Sequence, residues 1–534
     1  MNERLVIDVY DSTQRDGNQT PGVSLSVDDK LKTTQALDEF GFPYIEGGWP
    51  GSNPTDIEFF KEARGLQLKN AELVAFGMTG RIGVSVPDDE GLQKLLEAQT
   101  GIITIFGKSW MLHVRHALRT TAAKNLGSIG GTVEFLRKEG RRVFYDAEHF
   151  FDGYFDNPEY ALDTLKTAQT AGAEVIILCD TNGGRIPEEI FEATKGVKKT
   201  LGENYPLGIH VHNDGGLAIA STLAAVRAGA TQVQGTINGE GERCGNLPFC
   251  VFLPTAKLKY GMDIGEIDLT KLGEFSRFIE LKTGFMVPVN TPYVGDNAFR
   301  HKGGVHVSAM LRHPETYQHI DPELVGAKTS YEQSDQGGGA NIEHIAEKHG
   351  FAIEKGSAVF KMLVGEMKRL GVLGDAQEFL LLYRALVDSK EIFELDPETS
   401  VQSSRDGVHL ANVNVSFGGG DPEEAPISYS EQEGMGAFDA FARGLKMLLR
   451  RRFPLVAEIE LLDYKVTTAQ RQLKAGTGAE VEVNMELGAN GYKWTSVRRN
   501  VDEQTANQDA YVDGIKYYIL KRRKEKKDRR DSQS

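Results

Sequence analysis

Along the first half of the chain, short runs rich in Val, Ile, Leu and aromatic residues alternate with longer stretches whose apolar positions recur every three to four residues. The short runs read as strands: LVIDVYD from Leu5, YIEGG from Tyr44, ELVAFG from Glu72, IITIFG from Ile102, RVFYDAEHF from Arg142, EVIILCDTNG from Glu174, LGIHVHND from Leu207 and TQVQGTING from Thr231. Each ends in polar residues or glycine, and a helix-like stretch follows. In SVDDKLKTTQALDEFG, Ser26 stands where an N-cap accepts from first-turn amides, and Gly41 where a left-handed residue closes a helix. NPEYALDTLKTAQTAG, from Asn157 to Gly172, carries the same punctuation. Eight such units in about 255 residues fit a (β/α)8 TIM barrel. A doubly wound open sheet is the alternative, but it does not ordinarily need eight successive strands that each end in polar residues.

The pattern then changes. Residues 261–395 read as helices joined by glycine-rich connectors, among them SDQGGGAN from Ser334 to Asn341. From about Val401, VHLANVNVSF, AEIELLDYKV, AEVEVNMEL and YKWTSVRR alternate as strands around the helical stretch GAFDAFARGLKMLLRRR. The fold class is therefore α/β, a barrel followed by a helical linker region and a C-terminal α+β domain. The expected organisation is a catalytic barrel over 1–260, linker and helical subdomains over 261–395, the α+β domain over 396–520 and a basic tail over 521–534. The tail holds eight Lys and Arg between Lys521 and Arg530 and reads as a solvated helix end or a disordered tail rather than a nucleic-acid patch.

Charge and composition narrow the function. A formal charge of −15 over 534 residues repels phosphate backbones and anionic membrane surfaces, which excludes both as main partners. A small anionic substrate must then be met by locally placed cations or a metal. No stretch approaches the roughly 20 apolar residues of a membrane span. The three cysteines, Cys179, Cys244 and Cys250, cannot make a disulfide framework, and a cytoplasmic location is expected.

The chemistry-bearing residues gather at the strand ends. In GIHVHND, His210 and His212 stand two apart on one strand and so share a face. In a closed barrel, strand 8 neighbours both strand 7 and strand 1. The loops after these strands bring His210 and His212, GEGERCGN ending at Asn246, and STQRDGNQ with Asp16 to one spot on the catalytic rim. Two imidazoles, a carboxylate and an amide oxygen favour a divalent ion such as zinc, manganese or magnesium. Arg15 is placed to face a developing oxyanion, although a structural ion pair is its other reading. Thr181 and Asn182 offer a hydroxyl and an amide for a substrate carboxylate. Glu148 is a candidate proton relay or a partner to other site residues.

With these residues assembled, the chain resembles the family of 2-isopropylmalate, homocitrate and citramalate synthases. That family's barrel carries RDG after strand 1, HxH on strand 7 and a GERxGN-like turn after strand 8, and all three occur here in order. YIEGGWPGSNPTDIEFF, FGKSWMLHV, YDAEHFFDGYFDNPEYAL, LCDTNGG and GERCGN look like the citramalate branch rather than the isopropylmalate branch. The resemblance implies that Asp16, His210, His212 and Asn246 hold the metal, that Arg15 and Thr181 touch the keto acid, and that Glu148 assists near the reacting centre. HKGGVHVSAML matches the post-barrel segment that supplies a catalytic histidine. The role carries over to His306, with Tyr317 in TYQHIDPELVG as its companion, and His301 is the less favoured base. Both His306 and Tyr317 are expected to reach the neighbouring subunit's site in a homodimer. The chain departs from the family at Leu247, Pro248, Phe249 and Cys250, where small residues are usual, at Gln14, where an aliphatic is common, and at SDQGGGAN.

The activity so implied is an acyl transfer in which the acyl group becomes alkyl. Acetyl-CoA condenses with pyruvate to give citramalate and CoA, the first step of a threonine-independent route to isoleucine. The resemblance also makes isoleucine the expected inhibitor, acting through the C-terminal domain. The alternatives are an isopropylmalate or homocitrate synthase, an HMG-CoA lyase-like enzyme, and an amino-acid-sensing scaffold without turnover.

Overall fold

The structure, a computed structural model, describes residues 5–302, 304–310, 312–331, 339–370, 373–403, 409–418, 427–431, 436–468 and 479–531. It divides into two compact units, 1–300 with 319–329, and 301–318 with 330–534.

The first unit is the barrel. Its strands are β1 (Asp8–Asp11), β2 (Tyr44–Gly48), β3 (Glu72–Met78), β4 (Ile102–Lys108), β5 (Arg142–Glu148), β6 (Val175–Asp180), β7 (Leu207–Val211) and β8 (Gln232–Gly235). They close in chain order, and β8 meets β1 in parallel from Asp8↔Gln232 to Asp11↔Gly235. Side chains alternate along each strand. One parity (Val9, Ile45, Ala75, Ile103, Val143, Ile176) joins the large core beneath the helices, and the other (Tyr10, Val74, Ile102, Phe144, Ile177, Cys179) makes a separate buried cluster inside the barrel.

The helix signals act as the residue types require. Ser26 and Asp29 form a reciprocal capping box at the start of helix Val27–Phe40, and Gly41 ends it at φ 104°. Helix Pro158–Ala171 is closed by Gly172 at φ 101°. The run RVFYDAEHF is a strand only as far as Glu148. His149 takes a left-handed φ of 55° and turns the chain into helix Phe150–Asp156.

Among the described residues, the second unit has two antiparallel sheets of three or more strands. In one, strand His409–Phe417 pairs with Phe393–Leu395, Ser400–Ser403 and Ile427–Glu431. In the other, Val481–Ala489 lies between Glu460–Thr468 and Tyr492–Asn500. Helix Ala437–Leu449 covers the first sheet and helix Glu503–Asp531 the second. One core runs through this unit, with Trp494 stacked on Tyr518 at 5.1 Å. The basic residues 521–531 continue the last helix. Of the glycine-rich connector, Ser334 to Gly338 lie outside the described residues. Among the described residues no helix is long and apolar enough to cross a membrane.

Candidate active site

The site begins in the turn after β1. The amides of Arg15, Asp16 and Gly17 all donate to the Ser12 carbonyl, which curls the chain back over the barrel mouth. Arg15 is thereby laid flat, its guanidinium carbon 3.8 Å from the centre of the Phe76 ring. Its Nε donates to Glu46 Oε2 at 2.6 Å, and its Nη1 lies 3.2 Å from Asp16 Oδ2. Glu46, wholly buried on β2, also accepts from Tyr10 Oη at 2.7 Å and from the Ser12 hydroxyl. Burial works against the Asp16 anion, but the Arg15 charge and the contacts with His210 outweigh it and hold its carboxyl well below the usual range.

The two histidines meet Asp16 from β7. His210 Nε2 lies 3.3 Å from Asp16 Oδ2 and 3.4 Å from His212 Nε2, and one ligand atom from each of the three residues falls within 4.8 Å of the others. Burial, and then the neighbouring His210, push the His212 imidazole down to about 4. Burial also opposes charge on His210, but Asp16 overrides it and raises that imidazole.

Asn246 arrives through a turn built on glycine. Gly245 stands at φ 84°, the Asn246 amide donates to the Gly239 carbonyl at 3.2 Å, and a backbone bridge pairs Asn246 with His212. The Asn246 Nδ2 donates to the Glu240 carbonyl at 3.0 Å, while its Oδ1 is buried with no partner. Two ring nitrogens facing each other with a carboxylate oxygen beside them make a cluster that could hold a metal ion, and the Asn246 amide oxygen is buried without a partner. That donor set fits a divalent metal of the zinc, manganese or magnesium type.

The remaining rim residues are tied into a network. Glu148 is ion-paired with Lys108. The Thr181 hydroxyl accepts from the His149 amide at 2.9 Å, and its carbonyl accepts from Arg243 at 2.7 Å. Asn182 is engaged by Asp152 Oδ2 at 2.7 Å rather than standing open. Leu247, Phe249 and Cys250 are buried in the core outside the barrel, with Phe249 5.4 Å from the Phe42 ring, so this departure fills packing space. Gln14 is buried and donates to Thr34 at 2.9 Å.

His306 and Tyr317 belong to the second unit. Their rings stack at 4.1 Å and 21°, and both side chains are exposed. Burial, and then His306, lower the nearby His301 imidazole.

Three family models match the chain in succession: HMGL-like over residues 6–279, homocitrate synthase post-HMGL domain-like over 293–374, and LeuA allosteric (dimerisation) domain over 373–519. The chain is 42% identical over 524 residues to the (R)-citramalate synthase of Aquifex aeolicus, covering 96% of this chain and 98% of that one. It belongs to the (R)-citramalate synthase family. The (R)-citramalate synthase of Synechocystis is also 42% identical, with 95% of each chain covered. The 2-isopropylmalate synthase of Methanocaldococcus jannaschii is a more distant relative, 30% identical over 97% of this chain and 95% of that one. The citramalate synthase signature read from the chain therefore includes residues of both units, the RDG turn in one and the His306 segment in the other.

Sequence reasoning missed Glu46, Asp146 and Gln234. Asp146 on β5 and Gln234 on β8 are both buried. Burial, and then the Glu46 charge, push the Asp146 carboxyl up to about 7. The available signal was a polar residue interrupting an apolar strand: Glu in YIEGG, Asp in VFYDAE and Gln in QVQG.

Proposed function

We propose that this chain condenses acetyl-CoA with pyruvate to give (R)-citramalate and CoA. Full-length similarity to citramalate synthases supports the substrate pair. The observation that carries the site assignment is the gathering of Asp16, His210 and His212 ligand atoms beside an anchored Arg15, together with the buried, unpartnered amide oxygen of Asn246.

A divalent ion held by those four residues would supply Lewis acidity toward the keto oxygen of the substrate. The Arg15 guanidinium, fixed by Glu46 and the Phe76 face, is in place to receive the negative charge that grows on that oxygen as the new carbon–carbon bond forms. The Thr181 hydroxyl, which accepts from His149, keeps its own proton to donate to the pyruvate carboxylate. A ring nitrogen of His306 takes the proton from the acetyl methyl group, and stacking against Tyr317 holds the plane of that ring. The resulting carbanion equivalent attacks the keto carbon of pyruvate, and the alkoxide so formed takes up one proton to give the alcohol, balancing the proton removed from the methyl group. Water then cleaves the thioester, releasing citramalate and the CoA thiol. Glu148, paired with Lys108, is assigned a proton-relay role at the same rim.

The match to a dimerisation domain supports a homodimer, and we assign His306 and Tyr317 to the partner's barrel within it. Isoleucine is the proposed inhibitor, bound by the C-terminal α+β domain. Release of CoA with pyruvate, 2-oxoisovalerate and 2-oxoglutarate in turn tests the substrate. Release with pyruvate should exceed the other two, and faster release with 2-oxoisovalerate overturns the assignment. His212→Ala should abolish turnover and deplete metal in a folded protein. Wild-type metal content together with wild-type turnover overturns the ligand set.

A further inference from the structure

Two buried side chains that the reading above leaves unused stand behind His210. The β7–β8 register sets His210 directly opposite Gln234. Gln234 Oε1 lies 2.9 Å from His210 Nδ1, and Gln234 Nε2 lies 3.4 Å from Asp146 Oδ1 on β5. All three residues are 5% exposed or less.

A primary amide has direction, because its oxygen only accepts and its nitrogen only donates. An ionised Asp146 only accepts, so it takes the NH2 end. The carbonyl end is thereby turned to His210, and a carbonyl satisfies Nδ1 only when Nδ1 carries the ring proton. That tautomer leaves a bare lone pair on Nε2. Nε2 is the atom that faces Asp16 Oδ2 at 3.3 Å and His212 Nε2 at 3.4 Å. Reversing the amide would put the NH2 against Nδ1 and force the proton onto Nε2, where it would block ligation. His212 has no such support, since its Nδ1 is buried without a partner.

We propose that Asp146 and Gln234 are positioning residues: Asp146 sets the direction of the Gln234 amide, and Gln234 fixes His210 in the tautomer that can ligate a metal. The proposal rests on the ligand set assigned above, and it makes His210 the pre-organised imidazole of the pair. Partners of this kind are worth about 10 to 100-fold in metal affinity.

The test is the zinc and manganese affinity of the metal-free full-length protein, measured by chelator competition at a pH near 8, where Asp146 is ionised. Gln234→Leu removes the acceptor at similar volume and should weaken binding by about 10 to 100-fold. Gln234→Glu alone sets two carboxylates against each other and should also weaken binding. Combining Gln234→Glu with Asp146→Asn returns one acceptor toward Nδ1 and one NH2 behind it, and should restore wild-type affinity. If Gln234→Leu does not fold, the recovery of the double variant over Gln234→Glu decides, and no recovery overturns the proposal. Wild-type affinity in Gln234→Leu, alongside lost metal in His212→Ala, overturns the relay and leaves the ligand set standing. Retained metal in His212→Ala overturns both. In 15N-histidine spectra of the metal-free wild type, the resonance absent from His210→Ala should show a protonated Nδ1, and an Nδ1 that carries no proton overturns the tautomer assignment.

Discussion

Glu46→Gln asks whether Arg15 is aimed by charge or by shape. The substitution keeps the volume of a wholly buried side chain. Its amide oxygen can take the Arg15 and Ser12 donors, while its NH2 turns to the Tyr10 oxygen. The Tyr10 proton then passes to Thr104 Oγ1, 2.8 Å away. The hydrogen bonds survive and only the charge is lost. A charge pair about 4 Å apart at an effective dielectric near 20 is worth about 4 kcal/mol. Removing the anion also relieves its burial and its repulsion of Asp146, so a net stability loss of about 1 to 3 kcal/mol is expected. The larger effect is on turnover. Without Glu46, the guanidinium keeps Asp16 at 3.2 Å as its carboxylate partner and loses the anchor that fixes its direction. The kcat/KM for pyruvate should fall on the order of 100-fold, or about 2.7 kcal/mol of transition-state stabilisation. CoA release over a range of pyruvate concentrations, on metal-saturated enzyme with urea melts in parallel, measures both effects. Unchanged kcat/KM in a variant whose stability has dropped as expected would refute aiming by charge.

Three further outcomes follow from the site and the second unit. Mixing His306→Ala with Asp16→Ala subunits under exchange should regain activity, because a mixed dimer has one intact site; proven heterodimers without activity would place His306 in its own subunit. Isoleucine should inhibit the full-length enzyme with a coupling of about 1 to 3 kcal/mol, several-fold to roughly a hundredfold in affinity, and rates indifferent to millimolar isoleucine sink that role. Burial, and then Glu46, raise the Asp146 carboxyl to about 7, against about 4 for an unfolded aspartate. The folded state then holds this proton more tightly, so stability is lost as pH rises through that window. Relative to Asp146→Asn, the metal-free wild type should lose up to ~4 kcal/mol between about pH 4 and 7, with no further loss above. Parallel thermal midpoints for the two proteins across that range would count against it.

The barrel was legible because each strand is a compact β-branched run closed by polar residues, and RDG, HxH and GERCGN sit at three of those closures. Glu46, Asp146 and Gln234 were not, because a polar residue in an apolar strand faces either the barrel interior or the helices. Only the closed register decides which. In the second unit, helix Ala437–Leu449 showed its amphipathic stripe, whereas Phe393–Leu395 and Ser400–Ser403 are too short to display alternation. The last helix hid its core behind a charged end. Tyr511 to Leu520 are all buried, on every side of the helix, so no one-sided pattern marks them, and the basic residues beyond draw the eye to a tail.

The turn that delivers Asn246 also defines what a mutational library can change. A Cβ at Gly245 would sit 1.8 Å from the Gly239 carbonyl oxygen, and one at Gly241 would sit 2.2 Å from the Asn246 Nδ2. Both positions also have positive φ, so no side chain is admitted at either without moving the amide oxygen. Between them, Glu242, Arg243 and Cys244 are exposed, and the Arg243 side chain is fastened to Asp214 and to the Thr181 carbonyl, each at 2.7 Å. Randomising 242 and 244 should return mostly metal-competent clones, while any library that opens 241 or 245 will consist largely of proteins with a displaced Asn246. Efforts to change the keto acid accepted should leave the glycines of this loop as they are.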